Sequence, residues 1–91
     1  MKFEWDAGKA TKNLRKHRVS FDESVTTLAD WLSTTITDPD HSEGEARFIL
    51  VGESNRGRIL VVWHSIRGKT IRIIGARRAD SGERKRYEES V

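Results

Sequence analysis

Apolar and polar positions alternate along the chain in short, distinct patterns. Phe3 and Trp5 alternate with Lys2 and Glu4, the period of a short strand. Asp6 is a predicted N-cap, and behind it Ala7, Ala10 and Leu14 recur at helical spacing to about His17, with Lys9, Lys12 and Lys16 on a different face. Ser20-Phe21-Asp22-Glu23 has the form of a capping box, so residues 20–29 read as a second short helix whose stripe is Phe21, Val25, Leu28 and Ala29. Residues 30–38 are rich in Trp, Leu, Ile and Thr and suit a strand. Asp38-Pro39-Asp40-His41-Ser42-Glu43-Gly44 is loop chemistry. Three strand-like runs follow, 45–53, 58–66 and 69–78, divided by Asn55-Arg56-Gly57 and Ile66-Arg67-Gly68-Lys69, where glycine supplies the positive φ of a tight turn. With Arg67-Gly68 as a two-residue turn, Trp63 faces Arg72 across the hairpin as a cation–π pair. Asp80-Ser81-Gly82-Glu83 is a second capping box, opening a polar helix through Glu89 whose apolar surface is chiefly Tyr87 and Val91. The sum is an α+β fold: strand–helix–helix–four-stranded antiparallel meander–C-terminal helix, with the helices on one sheet face.

At 91 residues the chain is expected to be a single domain, 1–91. No stretch approaches the roughly 20 apolar residues of a membrane span, and the first residues hold no apolar run of signal-peptide type, so a cytoplasmic protein away from membranes is expected. The chain has no Cys, which excludes disulfides, cysteine nucleophiles and thiolate metal sites. Its net charge of +3 hides a strong segregation: residues 1–20 carry +4, residues 21–46 carry −7 with no basic group, and residues 47–91 carry +6. A fold that brings the two basic blocks together has a positive face suited to a phosphate backbone or an acidic protein. Mixed charge that keeps a small domain soluble is the plain alternative.

Several motifs, in order along nearly the whole chain, carry a family resemblance. They are Phe3-Glu4-Trp5-Asp6, Lys9, Asn13, Lys16-His17, Val19-Ser20-Phe21, Asp38-Pro39-Asp40-His41-Ser42, Arg47-Phe48, Arg72-Ile73-Ile74-Gly75-Ala76-Arg77, Glu83-Arg84 and Tyr87. Together they resemble the BrnT toxins of type II toxin–antitoxin systems. The resemblance implies a RelE-like fold, a metal-independent endoribonuclease that inhibits translation by cleaving RNA, and neutralisation by a BrnA-type ribbon-helix-helix antitoxin. It also implies a 2:2 complex that binds operator DNA through the antitoxin. Three positions depart from the family pattern: Arg18 stands where it has Gly, Ala46 where it has a second acidic residue, and Gly75 where it has Ser.

RNA cleavage without a metal uses the adjacent 2′-hydroxyl as nucleophile. It needs proton transfer and positive charge on the transition state, for which positioned Arg and Lys are suited. The candidate catalytic residues are Lys9, His17, Arg72 and Arg77, with Arg72 on transition-state charge and Lys9 and His17 in proton transfer or phosphate anchoring. Arg47, Lys12, Lys16 and Tyr87 are candidate RNA contacts. Six of the eight have a structural alternative: a C-terminal cap for His17, a solvated helix position for Lys9, a salt bridge for Arg72 and Arg77, a pair with Glu43 or Glu45 for Arg47, and docking of the last helix for Tyr87. Five residues apart on one strand, Arg72 and Arg77 point to opposite faces unless a bulge at Gly75 intervenes. His41 reads as a loop histidine, His64 as a partly buried structural one, and the tryptophans as core or antitoxin anchors. No metal-ligand spacing and no nucleotide-type glycine cradle occurs, so no metal or cofactor is expected. The competing functions are a non-enzymatic basic binding module of the same fold and, ranked last for want of a recognition helix, a DNA-binding protein.

Overall fold

The computed structural model describes residues 1–40 and 45–89, so His41, Glu43 and Val91 lie outside the described residues. Capping side chains set the N-terminal half. After β1 (Lys2–Glu4), the Asp6 carboxylate accepts the backbone N–H of Lys9 at 2.9 Å and opens α1 (Ala7–His17). α1 stops at Arg18, which takes the left-handed conformation (φ 59°) that glycine adopts without cost, so the glycine of the BrnT pattern has a physical reason. Ser20 Oγ accepts the Glu23 N–H at 3.0 Å and opens α2 (Phe21–Thr26), which runs into a single 3₁₀ turn over Thr27–Ala29. The reciprocal half of the expected capping box does not form. The Glu23 carboxylate turns inward instead, accepting from Ser54 Oγ at 2.7 Å and from both Nε and Nη2 of Arg58. Arg58 holds that carboxyl below its usual range.

Four antiparallel strands make the expected meander: β2 (Thr34–Thr37), β3 (Arg47–Glu53), β4 (Ile59–Arg67) and β5 (Thr70–Arg78). β1 joins parallel to β5, giving the order β1-β5-β4-β3-β2. β2 begins at Thr34 rather than Asp30, because the Asp30 carboxylate accepts the N–H groups of Leu32 and Glu53 and builds a turn. Trp31 in that turn is 93 % exposed.

The β4–β5 register differs from the expected one. Gly68 (φ 58°) takes the first central turn position, so Arg67 pairs with Thr70 and Ser65 with Arg72. A bulge then shifts the ladder between Trp63 and His64: His64 pairs with Ile73, but Trp63 pairs with Gly75. The expected Trp63–Arg72 pair is therefore absent, and the Arg77 guanidinium lies over the Trp63 ring, 5.4 Å from its centroid.

The core fills the sheet face beneath α1 and α2, where Val19, Phe21, Leu60, Val62, Ile71, Ile73 and Ala76 form one buried cluster. Trp5 packs edge-on against Phe21. Leu14 is half exposed, contrary to the helical periodicity, and Ala10, Asn13 and His17 are the less exposed positions of α1. The Asn13 carboxamide explains the difference. It donates to the Ala76 carbonyl at 2.8 Å and accepts the Ala76 N–H at 3.1 Å, satisfying the β5 edge where β1 has ended. α3 (Ser81–Glu89) opens with a reciprocal Asp80–Glu83 capping box, as expected. It does not join the other helices: its Glu83, Arg86 and Tyr87 line a concavity together with Val51, Val61 and Trp63 on the opposite sheet face. With almost no apolar stripe, α3 carries no signal for the side it covers.

Candidate active site

The β5 bulge decides which side chains share a face. Ile71, Ile73 and Ala76 all reach the core only because Ile74 is the extra residue. The same shift brings Arg72 and Arg77 onto one face, the one α1 and α2 leave uncovered. A cation-bearing row crosses four strands there. Glu4 pairs with Arg72, Arg72 with Ser65, and Ser65 with Arg47. Arg47 and Arg72 are two strand spacings apart, roughly 10 Å between backbones, and flank the buried Ser65. Ser65 Oγ donates to Glu45 Oε1 at 3.2 Å, and that carboxylate also meets Arg67 at 3.4 Å. Arg47 has no carboxylate partner among the described residues. Arg72 is loosely paired with Glu4, 3.5 Å away, with both side chains open to solvent.

Farther along the same face lies a concavity of about 490 Å³, with Ile36, Ile49, Val51, Val61 and Trp63 as its floor and Arg77 and Arg86 on its rim. Here Arg77 is held firmly. Its fork donates to both Glu83 oxygens, at 2.7 and 2.9 Å. The Arg77 hydrogen bonds hold the Glu83 carboxyl down at about 2, and those same bonds raise Arg77. Tyr87 anchors α3 nearby. Its hydroxyl donates to Asp30 at 2.5 Å, and burial with that bond pushes it up to about 12.

The candidate residues fall into two groups rather than one pocket. Arg47 and Arg72 share the row, and Arg77 lines the concavity. Lys9 stands in the first turn of α1, where its backbone N–H bonds the Asp6 carboxylate and is the chief cause that lowers it, with smaller contributions from the charges of Lys9 and Arg72. His17 lies eight residues on, about 12 Å along the helix, one turn past the Asn13 that grips Ala76 beside Arg77. Lys12 and Lys16 are exposed on α1. Tyr87 is buried and docks α3. Among the other histidines, His64 is fully buried on the core side, stacked on Phe48 and pushed down in pKa by burial. Glu4, Ser65 and the Trp63 contact with Arg77 were missed from sequence. The pairing of Arg47 and Arg72 through Ser65 follows only from the correct hairpin register. Among the described residues no three His, Cys, Asp or Glu gather as metal ligands, and no helix is long and apolar enough to cross a membrane.

A small sheet with α1 and α2 against one face and arginines, flanked by α3, on the other defines the class, a RelE-like α+β domain. Residues 5–83 match the family described as the ribonuclease toxin BrnT of type II toxin–antitoxin systems, and the chain belongs to that family. Among solved structures, the crystal structure of the Brucella abortus ribonuclease toxin BrnT is similar, with a TM-score of 0.66 at 25 % identity over 89 % of this chain and 99 % of that one. No curated protein matches the chain. Family membership makes it a ribonuclease toxin with an antitoxin partner.

Proposed function

We propose that the chain is a cytoplasmic, metal-independent endoribonuclease that binds RNA along its open sheet face and inhibits translation by cleaving it. The observation that carries this reading is the row Glu4–Arg72–Ser65–Arg47, which sets two arginines on either side of one buried hydroxyl. In the reaction the 2′-oxygen attacks phosphorus, the P–O5′ bond breaks, and the products are a 2′,3′-cyclic phosphate and a free 5′-hydroxyl. Arg72 and Arg47 neutralise the charge gathered on the non-bridging oxygens. Glu4, which pairs with Arg72, takes the 2′-hydroxyl proton in this reading, and the Lys9 ammonium protonates the leaving oxygen. Arg77 and His17, farther along β5 and α1, hold the neighbouring RNA backbone with Lys12 and Lys16. A BrnA-type ribbon-helix-helix antitoxin neutralises the enzyme in a 2:2 complex that binds operator DNA.

Purified chain incubated with RNA and EDTA tests this directly. Cleavage that ends in cyclic phosphates is expected, and intact RNA at high enzyme excess contradicts it. One feature favours a second reading, a basic binding module without catalysis: both Arg72 and Arg77 already face carboxylates. Full toxicity in cells of Arg72→Ala decides for that module.

A further inference from the structure

The two rims of the sheet are finished differently. β1 is short and carries Lys2 and Glu4, which is how natural sheets discourage strangers at an edge. β2, at the other rim, is Thr-Thr-Ile-Thr, uncharged and exposed along its whole length. The Asp38 N–H donates to the Arg47 carbonyl, and the register from there places the backbone groups of Ile36 and Thr34 toward β3. Thr35 and Thr37 therefore aim their N–H and C=O groups outward, and among the described residues none of these is engaged. Apolar side chains gather beside this open ladder: Ile36 is 56 % exposed, Leu32 43 %, and Trp31 stands almost free in the preceding turn.

We infer that β2 is the docking edge for an extended segment of the antitoxin, which adds a sixth strand to the sheet. This rests on the reading of the chain as an antitoxin-bound toxin. Charge selects the occupant. Residues 21–46 hold seven acidic residues and no Lys or Arg, and Asp30 and Asp40 bracket β2 in sequence. Antiparallel pairing of two copies through β2 brings the Asp30 end of one against the Asp40 end of the other, like charge on like, so a second copy of this chain is the wrong partner. A segment with Lys or Arg at both ends and apolar residues between them matches the edge. Because Ile36 also lines the concavity under Arg77, the added strand continues that wall and carries partner side chains over the RNA face.

Amide hydrogen exchange, residue by residue, on the free chain and on its complex with co-expressed antitoxin is the test. Thr35 and Thr37 amides exchange fast in the free chain, and slow by about 100-fold or more in the complex. Thr35→Pro deletes an outward donor and leaves the β3 ladder whole. It is expected to weaken antitoxin binding about tenfold or more, with RNA cleavage by the free variant unchanged. A complex in which both amides exchange as in the free chain overturns the inference, as does failure of the antitoxin to bind. Protection of the same amides in a dimer of the chain alone overturns it in favour of self-pairing. Cleavage by the free chain is scored separately: protected amides on a chain that cuts no RNA sink the nuclease reading and leave the docking edge standing.

Discussion

The two faces of the sheet are built from the same strands and hold opposite chemistry. Beneath α1 and α2, β4 and β5 present Leu60, Val62, Ile71, Ile73 and Ala76 to a dry core. On the other side the same strands present Trp63, Arg72 and Arg77 to a concavity and to solvent, around the buried Ser65. One inserted residue, Ile74, keeps both sets in place, since without it Ala76 and Arg77 exchange faces. The covered face supplies stability, and the open face holds charges that a simple stability optimum does not need.

Substitutions on the two faces therefore have separable effects. Leu60→Ala on the covered face is expected to lower the unfolding free energy by about 3–4 kcal/mol, read from denaturant titration, with cleavage per folded molecule unchanged. Arg72→Ala on the open face is expected to do the reverse: cleavage falls about 10²–10³-fold while stability moves by less than about 0.5 kcal/mol. The Arg77–Glu83 pair sharpens the contrast through pH. Its folded-state carboxyl titrates at about 2 against an ordinary 4.5, so its stabilisation is complete above about pH 4.5 and fades as pH falls toward 2. Arg77 is one-third exposed, so solvent screening leaves a contribution on the order of 1 kcal/mol. In acid melting curves Glu83→Gln is expected to lack that component. The smallest effect lies away from both faces. Arg18→Gly relieves the left-handed strain after α1 and is expected to raise stability by about 1 kcal/mol, with activity unaltered.

Much of this was legible in the residues. Asp6, Ser20 and Asp80 announce their helices by capping chemistry, and Gly57 and Gly68 punctuate three strands whose observed bounds differ from the expected ones by no more than a residue or two. The register was not legible, because placing Gly68 first or second in a two-residue turn moves every partner by two positions. The bulge was open for a related reason. Ile73-Ile74-Gly75-Ala76 is apolar without alternation, so nothing in it says which residue is extra. The inner side of α1 was misread at Leu14, because the position that matters there is a polar Asn13 reaching a sheet edge. Arg72 and Arg77 were named from the resemblance, but that they share a face with Arg47, and that Glu83 grips one of them, required the fold.

The central claim is that RNA lies on the uncovered face of the sheet. An RNA strand with 2′-O-methyl substitution at every position has no free 2′-hydroxyl to cleave it, so it can be titrated into isotope-labelled chain and followed by backbone amide shifts. The shifts are expected to concentrate at Arg47, Ser65, Arg72 and Arg77, and to weaken steeply with added salt. Shifts confined to α2, with those four residues unmoved, contradict the account.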